Sequence, residues 1–193
     1  MLAAALDAHF SAYDMPVQHV SDCWREWCEI HQRPPHHDEL RLLAQAQIMR
    51  IGATPDAPVL IADTTPLMTA VYSQLRFNDH SLDSLALDHQ AMFDITLLTG
   101  LDVDGQQGDG ANERDTVDQT VRRLLNQGHL PFQVVYGSGK QRLENALFCI
   151  GQRAPEWAKK WGRREQTARW RGPCETCGDG ACEHLLFTAL LKP

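Results

Sequence analysis

The chain has 193 residues, a formal net charge of −7 and 43% hydrophobic side chains. That length suits a sizeable core, and the apolar share excludes disorder as the default. The acidic balance argues against a nucleic-acid surface, and no apolar run approaches the roughly 20 residues of a membrane span. Leu2 to Leu6 is too short for a signal h-region and runs into Asp7. With no export signal read in the sequence, a reducing cytoplasm is the expected compartment, and the three of six cysteines clustered between Cys174 and Cys182 read as metal ligands before disulfides.

Taken in order, apolar residues at helical spacing (Leu2, Ala5, Leu6, Phe10) predict a helix over 1–12. A short strand over 16–20 ends at Ser21-Asp22, and a helix over 22–30 sets Trp24, Trp27 and Cys28 on one side. Pro34 and Pro35 put 31–37 in a loop. Asp38 is expected to cap an amphipathic helix running to Ile51, with Leu40, Leu42, Leu43, Ala46, Ile48 and Met49 at a spacing of about 3.6. A strand over 59–62 and helices over 66–75 and 81–90 follow. Next come a strand over 93–98, a mobile Gly- and Asp-rich loop over 101–112, and a helix over 113–127 with Val117, Val121, Leu124 and Leu125 inward. A strand over 132–136 ends in Gly137-Ser138-Gly139, and a helix covers 140–150.

The organisation read from this is a domain over 1–150 and a basic, Trp-containing tail over 151–193. Strands alternating with helices define an α/β fold with a parallel sheet and right-handed crossovers. Ligands in such sheets bind at the carboxyl ends of the strands. The groups expected there are Asp22, Asp63 with Thr64 and Thr65, the 101–112 loop and the 137–139 turn.

Pro58-Val59-Leu60-Ile61-Ala62-Asp63-Thr64-Thr65 is the most telling segment. A short apolar run ending in an acid and two hydroxyls is how a buried parallel strand delivers a carboxylate to a site. Gly137-Ser138-Gly139-Lys140 reads as a strand-to-helix turn, because Val134 and Gln141 replace the first Gly and the Ser or Thr of a phosphate loop.

The ordered marks from Leu2 to Leu147 resemble the nicotinamide riboside kinase domain of NadR-like proteins, a P-loop ATPase/kinase family with an AAA-type ATP-binding domain. The marks are a strand leading to Asp22, then Arg25-Glu26, the Ala62-Asp63-Thr64-Thr65 turn before a Thr-containing helix, the Phe93 to Leu98 strand, Asp104-Gly105 leading to Arg114, and a last strand with its Gly-rich turn. The resemblance implies a doubly wound parallel sheet, ATP and Mg²⁺, and phosphoryl transfer to a nucleoside such as nicotinamide riboside. It implies Asp63 as the metal-side acid, Asp22 as the group orienting a ribose hydroxyl, and Arg114 as a lid cation. Thr64, Asp104, Gly137 and Gly139 would border the nucleotide, the last two beside the adenine.

The G-x-x-x-x-G-K-S/T phosphate loop and the central strand before it do not occur in the sequence. Two neighbouring strands are then expected without ladder partners, so the native product begins upstream of Met1 or the chain is a decayed copy. A misplaced start is the favoured expectation. A nucleotide monophosphate kinase is a further P-loop reading. A reading of another class is a non-catalytic remnant acting as a zinc-stapled interaction module.

Cys174, Cys177, Cys182 and His184 form C-x-x-C-x-x-x-x-C-x-H, a tetrahedral donor set for structural Zn²⁺. Trp157 and Trp161 are expected to pin the tail to the domain. His19 is expected to be a hydrogen-bonded core histidine, and Cys23, Cys28 and Cys149 inert core thiols.

Overall fold

The structure, a computed structural model, describes residues 1–53, 58–102 and 109–160. It is mixed α/β, with eight α-helices and four short strands among the described residues. In chain order these are α1 (Leu2–Ser11), β1 (Val17–Val20), α2 (Cys23–His31), α3 (Leu40–Gly52), β2 (Val59–Ala62), α4 (Pro66–Phe77) and α5 (Asp83–Gln90). Then follow β3 (Leu97–Thr99), α6 (Asp109–Gln127), β4 (Gln133–Val135), α7 (Gly139–Arg153) and α8 (Pro155–Lys160). No helix among the described residues is long and apolar enough to cross a membrane.

The strands form two parallel pairs, β1 with β2 and β3 with β4. Val17 sits opposite Val59 and Val20 opposite Ala62 in the first, Leu97 opposite Gln133 and Thr99 opposite Val135 in the second. No ladder joins the two pairs among the described residues, so each of the four strands keeps one unpaired edge. Both pairs nevertheless border one apolar cluster. Leu6 and Phe10 of α1, Val59, Val135, and Ala146 and Ile150 of α7 are buried in it, with Ile61, Ile95 and Leu97 packed against them. A second cluster joins Leu40 of α3, Leu67, Ala70 and Val71 of α4, Ala86 of α5, and Val121, Leu124 and Leu125 of α6.

Several boundaries differ from the sequence expectation. β3 starts at Leu97 rather than Phe93, because the ladder opens with the Gln133 N–H donating to the Thr96 carbonyl. Pro131, two residues earlier, has no N–H to extend it. α6 begins at Asp109, inside the stretch read as loop, and the Thr116 hydroxyl donates to the Asn112 carbonyl at 2.8 Å within its second turn. Asp38 does not cap α3. It lies in a 3₁₀ turn over His37–Glu39, where Glu39 instead accepts the His36 N–H and pairs with Arg33 at 2.7 Å. α3 buries Leu40, Leu43, Ala44 and Gln47, while Leu42 and Met49 are 65% and 73% exposed.

α7 runs on to Arg153, past the expected domain end, and α8 packs back on it. Trp157 meets Phe10 edge-to-face at 6.0 Å, while Trp161 lies outside the described residues. His19 is half-buried, but its Nε2 has no hydrogen-bond partner among the described residues. Cys23 is buried; Cys28 and Cys149 are half-buried.

Candidate functional site

Asp22 and Asp63 come together at the carboxyl ends of β1 and β2. The Asp63 N–H donates to the Val20 carbonyl and extends the ladder by one step, which carries its side chain level with the start of α2. Arg25, in the first turn of α2, lies between the two acids. Its guanidinium is 4.0 Å from Asp22 Oδ2 and 3.7 Å from Asp63 Oδ2. Both carboxylates are mostly covered, at 13% and 16% side-chain exposure, whereas Arg25 is 48% exposed.

Asp22 also has a structural task. Its Oδ1 accepts the N–H groups of Trp24 at 2.9 Å and Arg25 at 3.3 Å, capping α2. One oxygen is thereby committed to the helix, and Oδ2 is left to face Arg25.

Gln47 ties the two strand ends together from below. It is 3% exposed, on the inner face of α3. Its amide N–H groups donate to the carbonyls of Ser21 and Thr64, both at 3.1 Å, and its Oε1 accepts the Cys23 N–H at 3.0 Å. One side chain thus spans the segments that carry Asp22 and Asp63. Around it Arg50 pairs with Glu26 at 2.6 Å, and the Ser21 hydroxyl also donates to Glu26, which together hold the Glu26 carboxyl below its usual range.

Thr64 contributes its carbonyl to Gln47. Thr65 caps α4 through its Oγ1, which accepts the Leu67 N–H at 3.3 Å and donates to Gln90 at 2.6 Å. Gln90, buried in α5, donates in turn to the Thr96 hydroxyl at 2.9 Å, so a polar chain runs from the end of β2 to the start of β3.

The second strand pair has its own cluster. Gly137, at φ 94°, donates its N–H to Asp102 Oδ2, and Asp102 Oδ1 pairs with Arg142 at 2.8 Å. Arg142 also reaches the Gly100 carbonyl at 3.3 Å. Gly139, at φ 49°, begins α7 with open space around it. The 137–139 segment is a strand-to-helix turn, as its sequence predicts, and an internal carboxylate occupies its first amide.

Arg114 lies half-buried in the second turn of α6. Asp104 and the Cys174, Cys177, Cys182, His184 set lie outside the described residues. Among the described residues no group of three or more His, Cys, Asp or Glu is placed to hold a metal ion by itself.

A cavity of about 290 Å³ opens between α4 and the start of α6, lined by Tyr72, Leu75, Arg76, Asn112, Glu113 and Thr116. Trp24, two residues after Asp22, stacks on Tyr72 with ring centroids 4.5 Å apart. Burial pushes the Tyr72 phenol up; Asp22 and Glu113 push the same way, and Arg76 opposes them. Sequence reading passed over Arg25 as a bridge, Gln47, Tyr72 and Arg76. The i, i+4 spacing of Tyr72 and Arg76 on a helix following Asp63 is the one signal that pointed to a shared face.

No protein-family model, curated protein or solved structure matches this chain.

Proposed function

We propose that this chain is an ATP-dependent phosphotransferase or ATPase of the NadR-like P-loop group, with a doubly wound parallel sheet. Its acceptor is a nucleoside hydroxyl. The observation that carries this reading is the convergence of Asp22 and Asp63 on Arg25 at the carboxyl ends of two adjacent parallel strands. Open α/β sheets bind ligands at that edge.

The residues suit Mg²⁺ held jointly with phosphates. Mg²⁺ takes one or two protein carboxylates and fills its remaining positions with phosphate oxygens and water, so a single oxygen donor such as Asp63 is enough. Mg²⁺ supplies charge neutralisation at the transferring phosphoryl group. Asp63 would hold the metal side. Asp22, with Oδ1 tied down as a helix cap, offers Oδ2 to the acceptor hydroxyl in a fixed direction. Arg25 bridges the two acids and partly neutralises them until ligand enters. Arg114 serves the transferring group.

The G-x-x-x-x-G-K-S/T cradle is not in the sequence. Cys174, Cys177, Cys182 and His184 add structural Zn²⁺ to this reading, expected at about one per chain in metal analysis of purified protein.

The test is turnover of Mg·ATP by the protein as its own host makes it. Asp63→Ala is expected to lower turnover at least about a hundredfold, the scale of losing metal-side charge stabilisation. Retained turnover in a folded Asp63→Ala protein removes Asp63 from the role.

A further inference from the structure

Arg25 holds its two acids loosely. A guanidinium that pairs with a carboxylate through hydrogen bonds sits about 2.7–2.9 Å from its oxygens. Arg33 does so on Glu39 at 2.7 Å, and Arg142 on Asp102 at 2.8 Å. Arg25 stands 3.7 Å from Asp63 and 4.0 Å from Asp22, too far to donate a hydrogen bond to either. Its Nη1 donates instead to the Met1 sulfur at 2.6 Å, a weak acceptor. The guanidinium is half-exposed and the carboxylates beneath it are mostly covered. A solvated cation on a flexible stem therefore lies between two covered anions, held by charge rather than by hydrogen-bond geometry. The acids do not depend on that side chain for their placement. Asp22 Oδ1 is fixed by the backbone N–H groups of Trp24 and Arg25, and Gln47 joins the segments that carry both acids.

We propose that Arg25 is the resident counter-ion that a divalent metal ion displaces from Asp22 and Asp63, and that it weakens the hold of this pair on a metal ion arriving alone. Two carboxylates and one guanidinium leave a single net negative charge, and without the guanidinium the pair carries two. A divalent ion at the acids meets a like charge a few ångströms away as long as Arg25 stays between them. Because no hydrogen bond fixes the guanidinium to either acid, its withdrawal costs charge compensation alone. That the ion serves phosphoryl transfer rests on the function proposed above; the competition between Arg25 and the ion does not.

The experiment is calorimetric titration of the full chain with Mn²⁺ alone, an oxygen-seeking ion that the Cys174, Cys177, Cys182 and His184 set does not favour. Arg25→Gln is expected to bind Mn²⁺ about tenfold more tightly than the wild type at low ionic strength, the scale of removing one nearby like charge at a protein surface. The side chain is 48% exposed, so this variant keeps the core intact. Arg25→Lys retains the charge and is expected to bind as the wild type does, a rescue that loss of packing alone does not produce. Adding Asp63→Asn to Arg25→Gln is expected to abolish the gain. Mn²⁺ should also raise the thermal midpoint of Arg25→Gln further than that of the wild type. Equal affinity in Arg25→Gln and wild type, a gain that survives without Asp63, Arg25→Lys matching Arg25→Gln, or no Mn²⁺ binding by either protein overturns the proposal. Turnover of Mg·ATP separates the two ideas. Tighter Mn²⁺ binding in Arg25→Gln, with no turnover by the wild type, sustains the counter-ion and removes the phosphotransferase. Turnover that needs Asp63, with Mn²⁺ affinity indifferent to Arg25, does the reverse.

Discussion

Gln47 is an uncharged side chain in the middle of an apolar helix face, and three of its hydrogen bonds hold backbone rather than side chains. Replacing it with Leu keeps the volume but leaves the Cys23 N–H and the Ser21 and Thr64 carbonyls without that partner. A buried donor or acceptor left unmade costs about 1–3 kcal/mol. Because carbonyls retain some capacity elsewhere, the expected loss in Gln47→Leu is about 3 kcal/mol in total. Urea unfolding measures it, and a loss under about 1 kcal/mol, within the range of an ordinary surface change, removes the clamp. The functional consequence is specific: Asp22 and Asp63 stand on the segments that Gln47 joins, so ligand affinity at the acids should fall further than in a variant of equal stability loss elsewhere. Gln90→Leu is that comparison, since Gln90 is also buried but links Thr65 to Thr96. The two acids were legible in the sequence, because a carboxylate at the end of an apolar run follows from strand geometry alone. Gln47 was not, because its partners lie 17 to 26 residues away and amides carry no hydrophobic signal.

At the scale of elements, α4 shows how one residue sets both a helix start and a link between strand pairs. Thr65 caps the helix and Pro66 occupies its first turn, where a missing N–H costs nothing. Thr65→Ala removes the cap at about 1 kcal/mol and also frees Gln90, so the drop should exceed that of a cap alone. Thr65→Ser keeps both contacts and should recover most of it; equal losses in the two variants would count against the cap. The amphipathic pattern of α3 misled because its inner face is set by Gln47 beside Leu40, Leu43 and Ala44, which leaves Leu42 and Met49 outward. Strand pairing was legible as alternation, and the strands lie in two separate parallel pairs among the described residues. The β3 start was not legible, since it depends on Pro131, a residue of the partner strand's approach rather than of β3 itself.

The whole molecule should lose stability toward acid in two separate steps, for different physical reasons. His89 lies buried against Phe93, with ring centroids 5.6 Å apart and no partner for its Nδ1. Burial disfavours its charged form and lowers its pKa. Below about pH 6.5 the unfolded chain binds a proton there that the folded protein refuses, so stability present above that pH declines as pH falls. The second step belongs to carboxylates whose folded pKa values are depressed. Glu39, hydrogen-bonded by Arg33 and the His36 N–H, is lowered from 4.5 to about 2. Glu26 is lowered by Ser21 and Arg50, and Asp79 by the Ser81 N–H, His37 and the Ser73 and Ser81 hydroxyls. For Glu39 that stabilisation is complete above the unfolded value near 4.5 and vanishes as pH falls toward about 2, and the other two act in the same direction. Urea midpoints should therefore be flat from about pH 8 to 7, begin to fall modestly below about 6.5, and fall steeply below about 4.5. His89→Leu should erase the first step and keep the second. Arg33→Gln should soften the second and keep the first, since it releases Glu39 toward its ordinary range. A first step that survives in His89→Leu assigns it to another histidine and removes this account of the upper window.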